Sequence, residues 1–329
     1  VGATSFEPEN PGAHAVRQGK AQVDAAERTV GIGSSIRFEV WLRQGLLEPA
    51  WAALCGSLAS GGFVLSTEPL LRLALLIFLV GPLWGGLWSA LIASDWATPL
   101  ARWRNRYYAK PTGVSRTVAP AGPADRLKET WDELKRWWAE LLAPTLGPTL
   151  AGLALLLPLT LVIAGILGPR PLLFTLVGIS LIQFVFAWSD GKATVYPAAQ
   201  ALFEVGLPWL AGHGLFHPLT LASTALALGF TLAYAGGLRL RHGGRGLMRW
   251  NLGYGLAILV LVGVQEPLAA GIIGLLFLGQ ALLQPGLLDP STDRVRSAAV
   301  VRFWRWVRPS LLIAMLVAAW AIRVGNGGA

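Results

Sequence analysis

The stretch 145-TLGPTLAGLALLLPLTLVIAGILGPRPLLFTLVGISLIQFVFAW-188 holds one ionisable side chain, Arg170, and decides how the whole chain is read. An α-helix needs about 20 apolar residues to cross roughly 30 Å of hydrocarbon. Residues 145–167 and 171–188 each come close to that length, so the stretch reads as two membrane spans joined by a tight turn. The same pattern recurs on both sides of it. Apolar stretches at 46–65 and 70–93 precede it; 197–211, 218–236, 252–266, 269–283 and 309–320 follow. The fold expected is therefore an all-α polytopic membrane protein with about nine transmembrane helices, the fifth being the weakest at its start. Pro82, Pro158 and Pro208 fall inside these stretches, where membrane helices tolerate proline because neighbours re-satisfy the freed carbonyls.

Composition agrees. Of 329 residues, 54% are hydrophobic and 14% charged, against about 25% charged in an ordinary soluble domain. Mean hydropathy is +0.54. This excludes a soluble globule and a disordered chain, and Cys55, the one cysteine, excludes a disulfide-built scaffold. The short alternating segments of a membrane β-barrel are not seen.

Nine spans would place loops on alternating sides, and cytoplasmic loops carry the excess of Lys and Arg. With these boundaries 24 of the 27 basic residues fall on one side, leaving Arg72, Arg170 and Arg323 on the other. That side is expected to be cytoplasmic, with the N-terminus inside and the C-terminus outside, in a membrane of prokaryotic cytoplasmic type. The formal net charge of +9 is then a topology signal and an attraction to anionic headgroups. Nucleic-acid binding is not expected, because the basic residues are spread over loops. The organisation expected is a polar tail at 1–36, lacking the apolar core of a signal peptide and poorly ordered; a transmembrane domain at 37–324; and a short tail at 325–329.

Within the loop 94–144, residues 124–142 (ADRLKETWDELKRWWAELL) repeat apolar side chains at Leu127, Trp131, Leu134, Trp138 and Leu141. Steps of four and three put these on one helical face, as expected for an amphipathic helix lying along the membrane interface.

Ionisable groups near the bilayer are costly, which makes each a functional candidate. Glu48, Glu68 and Glu266 lie near span ends and read as carboxylates at the water boundary, whereas Glu204 lies inside the fifth span. His213 and His217, four apart in AGHGLFHP, have a spacing that can ligate a metal on a helix. Gly214 and Pro218 mark that stretch as a turn, so polar capping is expected instead. No paired-cysteine metal motif, phosphate-cradling glycine loop or nucleophile elbow occurs.

The nine-span layout with long cytoplasmic loops after spans two and six resembles the UbiA-type superfamily of intramembrane prenyltransferases. Residues 81–113 (GPLWGGLWSALIASDWATPLARWRNRYYAKPTG) are similar to that family's first Asp-rich region, with Asp95, Asn105 and 111-PTG-113 at matching places. Residues 189–212 (SDGKATVYPAAQALFEVGLPWLAG) are similar to the segment between its fourth and fifth helices. The resemblance implies a diphosphate site at the inner mouth of the bundle, held by Mg²⁺ on two Asp-rich loops. Here the later acidic places of the first motif read Thr98 and Arg102. The second motif is replaced by 236-GGLRLRHGGRGLMRWN-251.

Guanidinium forks bind phosphate oxygens without metal. The residues expected to hold a phosphate or lipid headgroup are therefore Arg102, Asn105, Lys110, Arg239, Arg241, Arg245 and Arg249. The expected function is non-catalytic. The chain would bind an isoprenoid lipid, quinone or pigment tail, or serve as a subunit of a membrane complex, with no cofactor and with membrane lipids or membrane proteins as partners. The alternative is a divergent prenyltransferase that uses Asp95 and the arginine loop, with Mg²⁺, to move an isoprenoid from its diphosphate to an aromatic or lipid acceptor. A transporter is less favoured, since no inverted repeat is visible.

Overall fold

The structure, a computed structural model, describes residues 47–92, 143–189, 196–287 and 297–327, together with scattered positions between 94 and 139. The tail 1–36, the stretch 37–46, and Asp95, Arg102, Asn105 and Lys110 lie outside the described residues.

Every regular element among the described residues is a helix. They are α1 (Leu47–Ala59), α2 (Thr67–Phe78) continuing through a π-turn (Leu79–Leu83) into α3 (Trp84–Ile92), α4 (Ala143–Leu167), α5 (Pro169–Trp188), α6 (Pro197–Ala201) continuing through a second π-turn (Leu202–Gly206) into α7 (Leu207–Phe216), α8 (Leu221–Arg241), α9 (Leu247–Gly263), α10 (Pro267–Leu283) and α11 (Ser297–Gly327). Six stretches are long and apolar enough to cross a membrane: Thr67–Ile92, Leu146–Leu167, Pro169–Trp188, Leu221–Arg241, Pro267–Leu287 and Ala299–Gly325. These mark an integral membrane protein.

The three remaining expected spans are helical but differ from that standard. Helix α1 stops at Ala59 rather than running to residue 65, because Gly61 turns the chain with φ 70°. Helix α9 has 17 residues. The continuous helix 197–216 is long enough but carries Gln200, Glu204 and His213. Its position explains why it can. Phe203, Leu207 and Ala211 belong to a core shared with α2 to α5, while Ala201, Val205 and Trp209 belong to one shared with α1 and α8 to α11. Apolar residues four apart thus form two faces, each covered by protein, so the helix needs less hydropathy than one bathed in lipid. That is the reason the fifth stretch reads weakly in sequence.

Close helix pairs are made by small residues, as is usual where lipid supplies no hydrophobic drive to associate. A Cβ at Gly212 of α7 would overlap the Ala53 carbonyl oxygen of α1, where Ser57 Oγ also donates to Gly212 O at 3.3 Å. Helices α8 and α9 meet in the same way, Gly253 lying against Gly229 and Ala233. Helix α9 is tied to α10 and to the 3-10 turn that closes it (Gln284–Leu287) by polar side chains. Trp250 Nε1 donates to Gln280 Oε1 (3.1 Å) and Gln280 Nε2 to Tyr254 OH (3.0 Å), while Asn251 and Gln284 exchange two amide hydrogen bonds.

Boundaries differ from expectation at both basic ends. Helix α8 runs on to Arg241 and α9 begins at Leu247, so the arginine-rich loop shrinks to His242–Gly246. Helix α11 runs from Ser297 to Gly327, longer on both sides than the stretch 309–320, and takes in residues assigned to the C-terminal tail. Of the amphipathic segment 124–142, the described apolar residues Leu127, Trp131, Leu134 and Trp138 are all exposed, as an interfacial face requires; Leu141 lies outside the described residues.

Candidate functional site: a satisfied polar cluster and an arginine-rimmed cleft

Pro208 has no amide hydrogen to give the carbonyl of Glu204, and the helix opens there into the π-turn Leu202–Gly206. That turn presents the Glu204 carboxylate to α8. Tyr234 OH donates to Glu204 Oε2 at 2.7 Å and Gln200 Nε2 to Oε1 at 2.9 Å. Glu48, from the first turn of α1, lies within electrostatic range of Glu204. It is 5% exposed and makes an ion pair of 2.5 Å with Arg308 Nε of α11. Beside them Arg241 sits over the Trp304 ring at 5.7 Å, and Trp51 Nε1 donates to Leu312 O at 2.8 Å.

Four helical segments that are remote in sequence thus contribute to one polar cluster holding two carboxylates. The reading of Glu48 as a water-boundary carboxylate is corrected: α11 covers it and supplies Arg308. Glu68 does match that reading, pairing with Arg72 one turn on, both exposed.

The cluster fits guanidinium and amide donors and does not fit Mg²⁺. Both oxygens of Glu204 already accept hydrogen bonds and Glu48 is committed to Arg308, while among the described residues no three His, Cys, Asp or Glu side chains could hold a metal ion together. A hard divalent cation needs several free oxygen ligands.

The four arginines of the 236–251 stretch do not act as one group. Arg241 is taken by Trp304, and Arg245 stands in the short turn. Arg239, at the end of α8, and Arg249, in the first turn of α9, line a cleft of about 330 Å³ on the flank of the bundle. Its other walls are Leu181, Phe184, Val185 and Trp188 of α5 and the first turn of α6 with Tyr196. Neither the Arg239 nor the Arg249 side chain has an ion-pair or hydrogen-bond partner among the described residues. Sequence reading named both residues but missed the cleft, which depends on the packing of α5 and α6 beside the α8–α9 hairpin.

His213 is helical and fully buried, not part of a turn. Both histidines nonetheless behave as caps. His213 Nε2 and His217 Nδ1 approach the same oxygen, Pro218 O, at 3.0 and 3.1 Å, an arrangement that satisfies a carbonyl rather than a metal.

No family model, curated protein or solved structure matches the chain.

Proposed function

We propose that this chain is a nine-span membrane protein of prenyltransferase-like layout that no longer transfers prenyl groups. It serves instead to hold an isoprenoid, quinone or pigment tail, or as a subunit of a membrane complex. The observation that carries the reading is the pairing of Glu48 with Arg308 and of Glu204 with Tyr234 and Gln200. Both carboxylates are engaged by the protein's own side chains, Glu48 in an ion pair with Arg308 and Glu204 in hydrogen bonds from Tyr234 and Gln200, which supports a site that holds no metal. Ionisation without metal would forgo several kcal/mol of Lewis-acid stabilisation, and no general acid stands in its place among the described residues. The short helices α1 and α9, together with 197–216, supply the three spans that complete the count.

The alternative is an active enzyme using Asp95 and Mg²⁺. Purified protein given radiolabelled prenyl diphosphates, aromatic acceptors and Mg²⁺ is expected to form no product. Turnover that disappears in Asp95→Ala would establish the enzyme. Recovery of the chain from native membranes without either a bound isoprenoid or a stoichiometric protein partner would overturn the holding and subunit readings together.

A further inference from the structure

The flank cleft lies apart from the polar cluster, and its chemistry stands whichever way the preceding proposal falls. From its walls and rim we infer that it binds one anionic membrane phospholipid, the headgroup phosphate lying between Arg239 and Arg249 and a tail running along α5. Three observations meet here.

The first is charge. Arg239 is exposed and Arg249 half-buried, and neither guanidinium is paired among the described residues, so two positive groups border the cleft with no carboxylate from those residues beside them. Planar forks of this kind match phosphate oxygens in two-toothed fashion, which an ammonium cannot do. The second is the wall. Leu181, Phe184, Val185 and Trp188 form an apolar strip one helical face wide along the end of α5, of which Phe184 and Trp188 are 63% and 71% exposed. Side chains so placed on a membrane helix contact lipid, and tryptophan at a span end favours the depth of the headgroups. The third is depth. Arg239 and Arg249 stand at the adjoining ends of α8 and α9, level with the end of α5 and the start of α6, so phosphate-seeking and tail-seeking groups are stacked in the order that a lipid presents them.

A volume of about 330 Å³ suits a headgroup and the first part of a chain, not a whole lipid. The rest of the tail would lie on the exposed surface of α5. Arg241 is no part of this site, since Trp304 holds it on the other side of α8.

The test uses full-length protein in micelles containing phosphatidylglycerol and phosphatidylcholine, with native mass spectrometry counting the lipids retained. One phosphatidylglycerol should be kept in preference to phosphatidylcholine. Arg239→Ala with Arg249→Ala should lower that retention about 30-fold, the effect of two basic groups at a membrane surface. The Arg239→Lys, Arg249→Lys pair should lose part of it, and Arg302→Ala with Arg305→Ala should lose none. Phe184→Ala should weaken retention several-fold without altering the preference for negative charge. Equal retention of both lipids, unchanged retention in the double alanine variant, or displacement of the lipid by millimolar inorganic phosphate would each overturn the inference; the last would make this a site for a free anion. Prenyl transfer activity bears only on the preceding proposal, so the two fail separately.

Discussion

Two groups of charged side chains sit within a few helical turns of each other in this bundle, and they are built in opposite ways. At the α1–α8–α11 junction Glu48 faces Arg308, Glu204 takes donors from Tyr234 and Gln200, and Arg241 lies on Trp304. At the α8–α9 hairpin Arg239 and Arg249 face an apolar cleft with no partner among the described residues. A charge inside or beside a membrane must be compensated by something. Where the protein supplies the compensation, the group orders the fold. Where it does not, a ligand or solvent must do so, which is why the cleft and not the buried cluster is the place to look for binding.

Removing one half of a buried pair breaks this contrast most severely. Arg308→Ala leaves Glu48 charged, covered and alone, a change worth about 3 kcal/mol, at the lower end for buried pairs because the Arg308 side chain is 32% exposed. Thermal unfolding of the purified protein should show a clear loss, and Glu48→Leu combined with Arg308→Leu should recover most of it, since two apolar residues need no compensation. An unchanged midpoint in Arg308→Ala would mean that water reaches the pair, and the two regions would then differ only in degree.

A smaller effect is expected of Tyr234→Phe, which keeps the ring against Trp304 and deletes the hydroxyl that Glu204 Oε2 accepts from. An acceptor left without its donor costs about 1–2 kcal/mol. Gln200→Ala should cost less, because Gln200 lies on the same helix one turn away and its amide is easier for water to replace. If the two substitutions together cost no more than one alone, Glu204 has a further donor and the cluster is less tightly specified than its geometry suggests.

The sequence made the membrane helices readable where lipid selects for them. Residues 145–188 hold one charge in two spans, and α4 and α5 follow to within two residues. The helix 197–216 was harder to read for a physical reason. Surrounded by protein on two faces, it is free to carry Gln200, Glu204 and His213, so its signal is weak although its burial is high. The small residues Gly229, Ala233 and Gly236, at steps of four and three, were the available sign that α8 packs backbone to backbone on a neighbour. Site residues were legible only as types. That Glu204 lies within an apolar stretch could be read directly, but the burial of Glu48 depends on α11, more than 200 residues later, and no local pattern announces it. The arginines of 236–251 form one run on paper. On two helices joined by a short turn they point to different neighbours, which separates Arg241 from Arg239 and Arg249.

The smallest expected effect sharpens the contrast from the other side. In neutral micelles Arg239→Ala with Arg249→Ala should change stability by no more than about 0.5 kcal/mol, because neither side chain has a partner to lose among the described residues. Adding phosphatidylglycerol should then raise the unfolding midpoint of the wild-type protein and leave the variant where it was, since a ligand that binds only the folded state stabilises it in proportion to the logarithm of its concentration above Kd. The opposite pattern, a variant already destabilised without lipid and still responsive to it, would show that the two arginines hold the α8–α9 hairpin together. The unpaired charges would then belong, like Glu48 and Arg308, to the architecture.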